Sequence, residues 1–406
     1  MVEIFEPAAY RTIRSSCLAK MRGIGIASLM LGGMLSQLDP MPTVFLKFLR
    51  IHWFLAILTI VLGCVGVYAV YAATWMRDVD FWNRQAVFLA VGVPIMLVIA
   101  LFDYRWIRWG AVPFYVISVV LLVLVRVMGR ETYGAKSWLD LGFISVQPAQ
   151  LAIVSGILTV AVFLEATTRL HAILRLLGVG VIISVPCFLI LTQPDLGSTI
   201  VWFPVVMAML FVGGIPKRYL AAMLLVVVAA IPVVANFGIK PYQKARITAF
   251  LDPNADPLGA GWTINQSLIA VGSGGIEGKG FKAQNTLTEL GFLPSTISHN
   301  DFVFAVFAEH HGFIGSVLLI SAFACLLMMG LQVALLARDP MGRIIAAGII
   351  AELFTYAFMN IGMTISVTPV TGLPLPFISY GGTFLLTTLA SIGLLQSIWV
   401  HRKTLS

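Results

Sequence analysis

A chain of 406 residues with 59% hydrophobic and 11% charged side chains and a mean hydropathy of +0.95 is not a soluble globular protein, in which about 25% of residues are charged. At about 20 apolar residues per crossing it has room for about eight to eleven membrane spans and one large loop, and none for a sizeable soluble domain. The net charge of +8 from 26 Lys and Arg reads as cations distributed for membrane topology, which argues against a nucleic-acid partner.

Taken in chain order, apolar runs of spanning length fall at 52–74, 83–102, 106–127, 147–166, 172–192, 197–215, 218–237, 302–336, 343–366 and 376–399. Charged or Gly/Pro-rich breaks bound each run, and the pattern predicts an all-α, polytopic integral membrane protein with about ten transmembrane helices and a large extracytoplasmic loop. Pro94, Pro113, Pro186 and Pro232 predict kinks. Cys64, Cys187 and Cys325 lie inside apolar runs, and with Cys17 they show no CxxC or HxH spacing, so they read as small apolar residues.

Orientation follows from the cations. Six lie in the N-terminal tail (Arg11, Arg14, Lys20, Arg22, Lys47, Arg50), and ten more lie in alternate short breaks and at the C-terminus (Arg105, Arg108, Arg169, Arg175, Lys217, Arg218, Arg338, Arg343, Arg402, Lys403). The opposite breaks hold five, Arg77, Arg84, Arg126, Arg130 and Lys136. Both termini are therefore expected in the cytoplasm, with residues 1–50 as a cytoplasmic tail, 51–403 as the membrane domain and a loop of about 238–300 outside. No cleavable signal peptide is expected, because residues 1–22 are polar and the apolar stretch Gly23–Met34 has no small-residue cleavage site after it.

In so apolar a chain the ionisable residues are the informative ones, since each costs about 2.5–3.5 kcal/mol at the centre of a span unless it faces protein or water. Ten of the 18 acids fall on the outer side: Asp78, Asp80, Glu131, Asp140, Asp195, Asp252, Asp256, Glu277, Glu289 and Asp301. The long loop carries Lys240, Lys244, Arg246, Gln266, Ser267, Lys279 and Lys282, with five glycines between Gly272 and Gly280. Cations beside glycines suit a phosphate or pyrophosphate held by charge and backbone N–H groups. A flexible loop with solvated charges is the competing reading.

Asp301 follows His299-Asn300 and opens an apolar helix. It reads either as a helix cap or as a general base whose partial desolvation lifts its pKa. Glu309, His310 and His311 lie two turns on, and Asp301 and Glu309, eight residues apart, stand about 12 Å apart along one helix, too far to share an ion. Adjacent histidines point about 100° apart and cannot act as an i, i+4 ligand pair. The trio reads as polar residues lining an internal cavity, and no HExxH, GxSxG or GxxxxGK[ST] motif is present.

Four segments together resemble the SEDS family of bacterial shape, elongation, division and sporulation proteins. They are Gln193-Pro-Asp-Leu-Gly-Ser-Thr199; Asp252-Pro-Asn-Ala-Asp-Pro-Leu-Gly-Ala-Gly261 with Gln266-Ser267; His299-Asn-Asp-Phe-Val-Phe-Ala-Val-Phe-Ala-Glu309 with Gly312; and Pro369-Val-Thr-Gly-Leu-Pro-Leu-Pro-Phe-Ile-Ser-Tyr-Gly-Gly382. Val370-Thr371, where division-type members carry Thr-Lys, is similar to the elongation-type branch.

The resemblance implies a peptidoglycan glycosyltransferase of the bacterial cytoplasmic membrane that polymerises lipid II at the outer face during cell elongation, with a class B penicillin-binding protein as partner. It implies Asp301 as general base on the acceptor sugar's 4-hydroxyl, and the loop cations on the pyrophosphate that leaves. Lys136, Trp138, Gln193, Asp195, Glu309, Ser379 and Tyr380 join the substrate-binding candidates through the same motifs. A divalent cation such as Mg2+ or Mn2+ on the pyrophosphate stays open, and no other cofactor is implied. A lipid II flippase and a non-catalytic scaffold for the penicillin-binding protein are the alternatives. The chain departs from the family where Gln-Pro-Ser-Glu with a following Lys reads Gln147-Pro-Ala-Gln150 with Ile153, where Gly-Ala-x-Arg-Trp reads Gly134-Ala-Lys-Ser-Trp138, and where Asn300 replaces Thr before Asp301. The segment after Phe292-Leu-Pro294 is also two residues longer, with Ser and Thr in place of a Glu.

Overall fold

The computed structural model describes residues 43–75, 80–132, 135–140, 142, 145–193, 195–237, 241–252, 259–281, 283, 285–293 and 298–402. Residues 1–50 and 51–406 form separate compact units, and of the first the helix α1 (Thr43–Leu49) is described. Lys240, Asp256 and Lys282 lie outside the described residues.

The second unit is a helical bundle of α2 (Trp53–Thr74), α3 (Phe81–Leu101), α4 (Ile107–Met128), α5 (Pro148–Ala166), α6 (Ala172–Thr192), α7 (Leu196–Val212), α8 (Lys217–Phe237), α9 (Pro241–Leu251), α10 (Ala260–Ser273), α11 (Val303–Leu336), α12 (Pro340–Thr364) and α13 (Gly382–Val400). Among the described residues eight helices are long and apolar enough to cross a membrane: α2 to α6 and α11 to α13. The apolar α7, of 17 residues, and α8, of 21, occupy the other two expected spans. Each of the ten apolar runs thus contains a helix.

The helix starts follow local chemistry. The Asp339 carboxylate accepts from Gly342 N at 2.8 Å to cap α12, the Asp195 carboxylate accepts from Ser198 N at 2.9 Å to cap α7, and Pro148 and Pro340 sit in the first turns of α5 and α12.

Two features add to the sequence reading. A three-stranded antiparallel sheet, β1 (Arg130–Thr132), β2 (Ala135–Asp140) and β3 (Ser145–Val146), joins α4 to α5 within the otherwise helical bundle. Short strands with turn residues between them leave no hydropathy signal among long apolar runs. The stretch 238–300, expected as a loop, contains α9 and α10.

Hydrogen bonds gather the helix ends into two layers. At the tail end, His52 N donates to Gln396 Oε1 at 2.9 Å, Tyr104 N to Ser397 Oγ at 3.0 Å and Arg108 Nη2 to Glu165 Oε1 at 2.6 Å. The Arg175 guanidinium there donates to the carbonyls of Leu164 and Gly213 at the ends of α5 and α7, at 3.2 and 2.7 Å. At the loop end, Gln85 donates to Ser379 O at 3.0 Å, Gln193 to Leu122 O at 2.9 Å and Ser267 to Thr364 O at 2.8 Å. Arg105, Arg108, Arg175, Arg338, Arg343 and Arg402, expected inside, all belong to the tail end of their helices, as the alternation of the chain requires.

Between the layers, buried polar groups pair across helices, as an apolar solvent demands. Ser118 and Ser155 hydroxyls meet at 2.7 Å, and Tyr356 donates to Gln150 Oε1 at 2.8 Å. Gln150 therefore serves as a neutral acceptor, and Ile153 beside it is fully buried.

Candidate active site

Asp301 stands in a turn immediately before α11. The helix's N-cap residue is Phe302, which gives no side-chain cap, and Asp301 lies one position further out. The cap alternative is therefore set aside.

Three consecutive carbonyls hold this turn from neighbouring elements. His299 O accepts from Tyr380 N at 3.0 Å, Asn300 O from Ser379 Oγ at 2.6 Å, and Asp301 O from Asn360 Nδ2 at 3.0 Å. Asn360, fully buried in α12, also donates to Leu373 O at 2.7 Å. The His299 ring stacks on Phe81 with centroids 4.6 Å apart and an interplanar angle of 14°, and Tyr380 lies against both rings. A backbone fixed at three successive residues points its carboxylate one way, which is the preorganisation a catalytic group needs.

The Pro369–Gly382 segment forms a wall beside it. A Cβ placed on Gly372, at φ 72°, would sit 3.6 Å from Asp301 Oδ2. A Cβ on Gly197 would come within 2.6 Å of Thr371 O, so the start of α7 closes against the same segment. Gly66 of α2 approaches it more tightly, where a Cβ would fall 2.0 Å from Phe377 O. The Gln85 amide grips Ser379 O and Gly381 N, at 3.0 and 3.3 Å. Ser379, fully buried and bonded to Leu375 N and Asn300 O, is thus a brace for the wall, as is the Tyr380 backbone.

Charge completes the site. Burial pushes the Asp301 carboxyl up to about 6; the Arg246 guanidinium opposes that shift and the Asp195 carboxylate adds to it. Asp195 is held by Ser198 N and Oγ at 2.9 and 2.7 Å and by Gln147 Nε2 at 3.3 Å. Arg246 and Lys244 are exposed on α9. Asp301, Asp195, Arg246 and Gly372 are therefore brought together from four separate stretches of chain.

The other expected residues are placed differently. Lys279 Nζ lies 2.7 Å from the fully buried Glu309 Oε1 and 2.9 Å from Asn285 O. In the glycine run beside it, Gly278, Lys279 and Gly280 donate their N–H groups to Gly274, Glu309 and His310 carbonyls at 2.8, 2.9 and 3.0 Å. Its small residues allow close approach to α11. Gln193, Gln266 and Ser267 are buried, with Gln193 bonded to Leu122 O in α4 and Ser267 to Thr364 O at the end of α12. Trp138 is half-buried on β2, where Lys136 also lies with its side chain outside the described residues. His310 is buried, and His311 stacks on Phe307 with centroids 4.4 Å apart. Among the described residues no group of three or more His, Cys, Asp or Glu could hold a metal. Sequence reasoning missed Asn360, Gln85 and Gly372, whose importance lies in which distant carbonyl or carboxylate they meet.

The model of the family described as "Cell cycle protein", FtsW/RodA/SpoVE, matches residues 49–404. The chain belongs to the FtsW/RodA/SpoVE family. It is 39% identical over 331 residues to the peptidoglycan glycosyltransferase MrdB of Escherichia coli K12, covering 81% of this chain and 88% of that one. It is 34% identical to the stage V sporulation protein E of Bacillus subtilis, over 85% of this chain and 95% of that one. Among solved structures it is similar to a chain from a peptidoglycan synthase complex that coordinates polymerization and crosslinking, with a TM-score of 0.72 at 33% identity over 86% of this chain and 97% of that one. The Thermus thermophilus rod-shape-determining protein RodA matches with a TM-score of 0.66 at 28% identity, over 87% of this chain and 98% of that one. The FtsW/RodA/SpoVE match spans the described bundle from α2 to α13, so every part of the Asp301 site lies within it.

Proposed function

We propose that this chain, a peptidoglycan glycosyltransferase, polymerises lipid II with Asp301 as general base, at the outer face of the bacterial cytoplasmic membrane. The carrying observation is Asp301 itself: a partly buried carboxylate anchored through three successive carbonyls, raised toward neutrality and facing Arg246. A carboxylate of that pKa is largely ionised near neutral pH and still basic enough to take a proton from a hydroxyl in the transition state.

The step balances without a co-reactant. The Asp301 carboxylate takes the proton of the acceptor sugar's 4-hydroxyl as that oxygen bonds to the donor's anomeric carbon. The bond from that carbon to the pyrophosphate oxygen breaks with its electron pair, and undecaprenyl pyrophosphate leaves. Arg246 and Lys244 on α9 supply positive charge for the leaving group, and Lys240 joins them in this proposal. Trp138 and Lys136 on the β-sheet and Asp195 at the start of α7 border the same end of the bundle.

The loop end faces outward, with both termini in the cytoplasm, supported by the cations at the tail end. The partner is a class B penicillin-binding protein, supported by the likeness to a synthase-complex chain. The test is lipid II polymerisation by the purified chain with its cognate penicillin-binding protein. Asp301→Asn is expected to lower turnover by about 100- to 10,000-fold while the protein stays folded. Polymer at the wild-type rate from Asp301→Asn overturns the mechanism, and lipid translocation in liposomes without polymer from the wild type overturns the activity.

A further inference from the structure

α11 is broken nine residues into its length. Gly312, at φ 63° and ψ −158°, interrupts the helix and leaves backbone groups on both sides without intrahelical partners. The segment after α10 supplies those partners. Lys279 N and Gly280 N donate to Glu309 O and His310 O at 2.9 and 3.0 Å, while Phe313 N and Ile314 N donate to Gly275 O and Ile276 O at 2.8 and 3.1 Å. The approach is close enough to need glycine: a Cβ on Gly274 or Gly278 would fall 2.2 Å from a carbonyl oxygen of α11, and one on Gly312 would fall 2.4 Å from Gly278 N.

The Glu309 carboxylate lies at the centre of this joint. Its Oε1 accepts from Lys279 Nζ at 2.7 Å, Leu287 N at 2.9 Å and Ser273 Oγ at 3.3 Å. Leu287 packs against Ala270 and Ala305, and its carbonyl accepts from Phe292 N and Leu293 N at 3.0 and 3.1 Å. Leu293 is fully buried against Ala73, Phe302 and Val306. A continuous run of contacts therefore leads from the Glu309 carboxylate through Leu287 and Leu293 to Phe302, the residue next to Asp301.

We propose that the Lys279–Glu309 ion pair is a positioning lock for Asp301, which clasps residues 273–281 and 285–293 onto α11 and so fixes the turn that carries the base. The pair touches no substrate. The lock rests on the reading of Asp301 as general base. Glu309 acts at a distance: eight residues down the helix, it restrains the loop whose leucines pack under the Asp301 turn. A misplacement of about 1 Å at a reacting group costs about 100-fold in rate, so a loop released at Glu309 is felt in turnover and not in substrate affinity.

Removing one partner would strand a buried charge and confuse the result, so the test removes both. The variant Glu309→Leu/Lys279→Met, as the full chain with its cognate penicillin-binding protein, is assayed for lipid II polymerisation and for amide hydrogen exchange. The lock predicts kcat lowered by about 100-fold with KM within about twofold of wild type, and faster exchange across 285–293. Wild-type kcat overturns it, as does a raised KM with unchanged kcat, which would make the pair a substrate contact. If Glu309→Leu/Lys279→Met does not fold, Glu309→Gln/Lys279→Met is read instead. That variant keeps the acceptor for Leu287 N but loses the charge pair, and unchanged kcat with unchanged exchange again overturns the lock. Asp301→Asn is run beside these variants: wild-type polymer from it sinks the general-base reading, whatever the pair does.

Discussion

Asp301 shows how a residue acquires chemistry from its surroundings. In water its carboxyl would titrate at about 3.9; in the fold, burial and the Asp195 charge lift it to about 6 against the pull of Arg246. The base acts as the carboxylate, so kcat/KM for lipid II is expected to fall as pH drops through about 6. A pH–rate profile whose acid limb stands at an ordinary Asp value would contradict this. The same shift bears on stability with a definite sign. The raised folded pKa penalises the charged form, so the contribution is unfavourable above about 6, shrinks as pH falls, and vanishes below the unfolded value. Asp301→Asn should therefore unfold at a higher temperature than wild type at about pH 7.5, with the gap closing below about pH 4. Asn360 makes the complementary prediction. Asn360→Leu leaves the carbonyls of Asp301 and Leu373 without donors, which should cost about 1–3 kcal/mol per stranded group. Thermal unfolding checks the loss of stability, and lipid II turnover should fall with it.

At the scale of elements, the long motif from Pro369 to Gly382 is mostly architecture. Its serine braces the turn before Asp301, its glycine at 372 makes room for the carboxylate, and its backbone at Phe377 is pressed against Gly66 of α2. Gly66→Ala would drive a methyl into the Phe377 carbonyl, 2.0 Å away. It should destabilise the chain by about 1–3 kcal/mol or more and lower turnover through the shifted wall. A Gly66→Ala protein with wild-type thermal midpoint would show that the wall is free to retreat. α11 carries the opposite lesson: its 34 residues read as one apolar run, yet the break at Gly312 turns its first part into a seat for the loop. Hydropathy cannot register such a break, because the residues on both sides stay largely apolar and the missing hydrogen bonds are made by a segment thirty or more positions upstream.

For the whole molecule, the cations and the alternation of the helices make a joint statement about direction. Glu277 lies at the loop end and Arg218 at the tail end, both exposed. With the native cysteines replaced, Glu277→Cys should react with an impermeant maleimide on intact spheroplasts, and Arg218→Cys only after permeabilisation. The reverse pattern would put Asp301 on the wrong side for lipid II polymerisation. The amino-acid sequence by itself determined the class of the molecule, the places of the helices in its ten long apolar runs, the charge alternation behind the expected orientation, and Asp301 as the acid to watch. Those properties depend on composition and on spacing along the chain, which hydropathy and charge report directly. The tertiary structure alone decided that the helix cap falls at Phe302 and not at Asp301, that Ser379 and Asn360 hold the Asp301 backbone, that Arg246 and Asp195 act on its charge, and that Lys279 pairs with Glu309. Each of these is a meeting of residues far apart in the chain, and a linear pattern carries no distance between them.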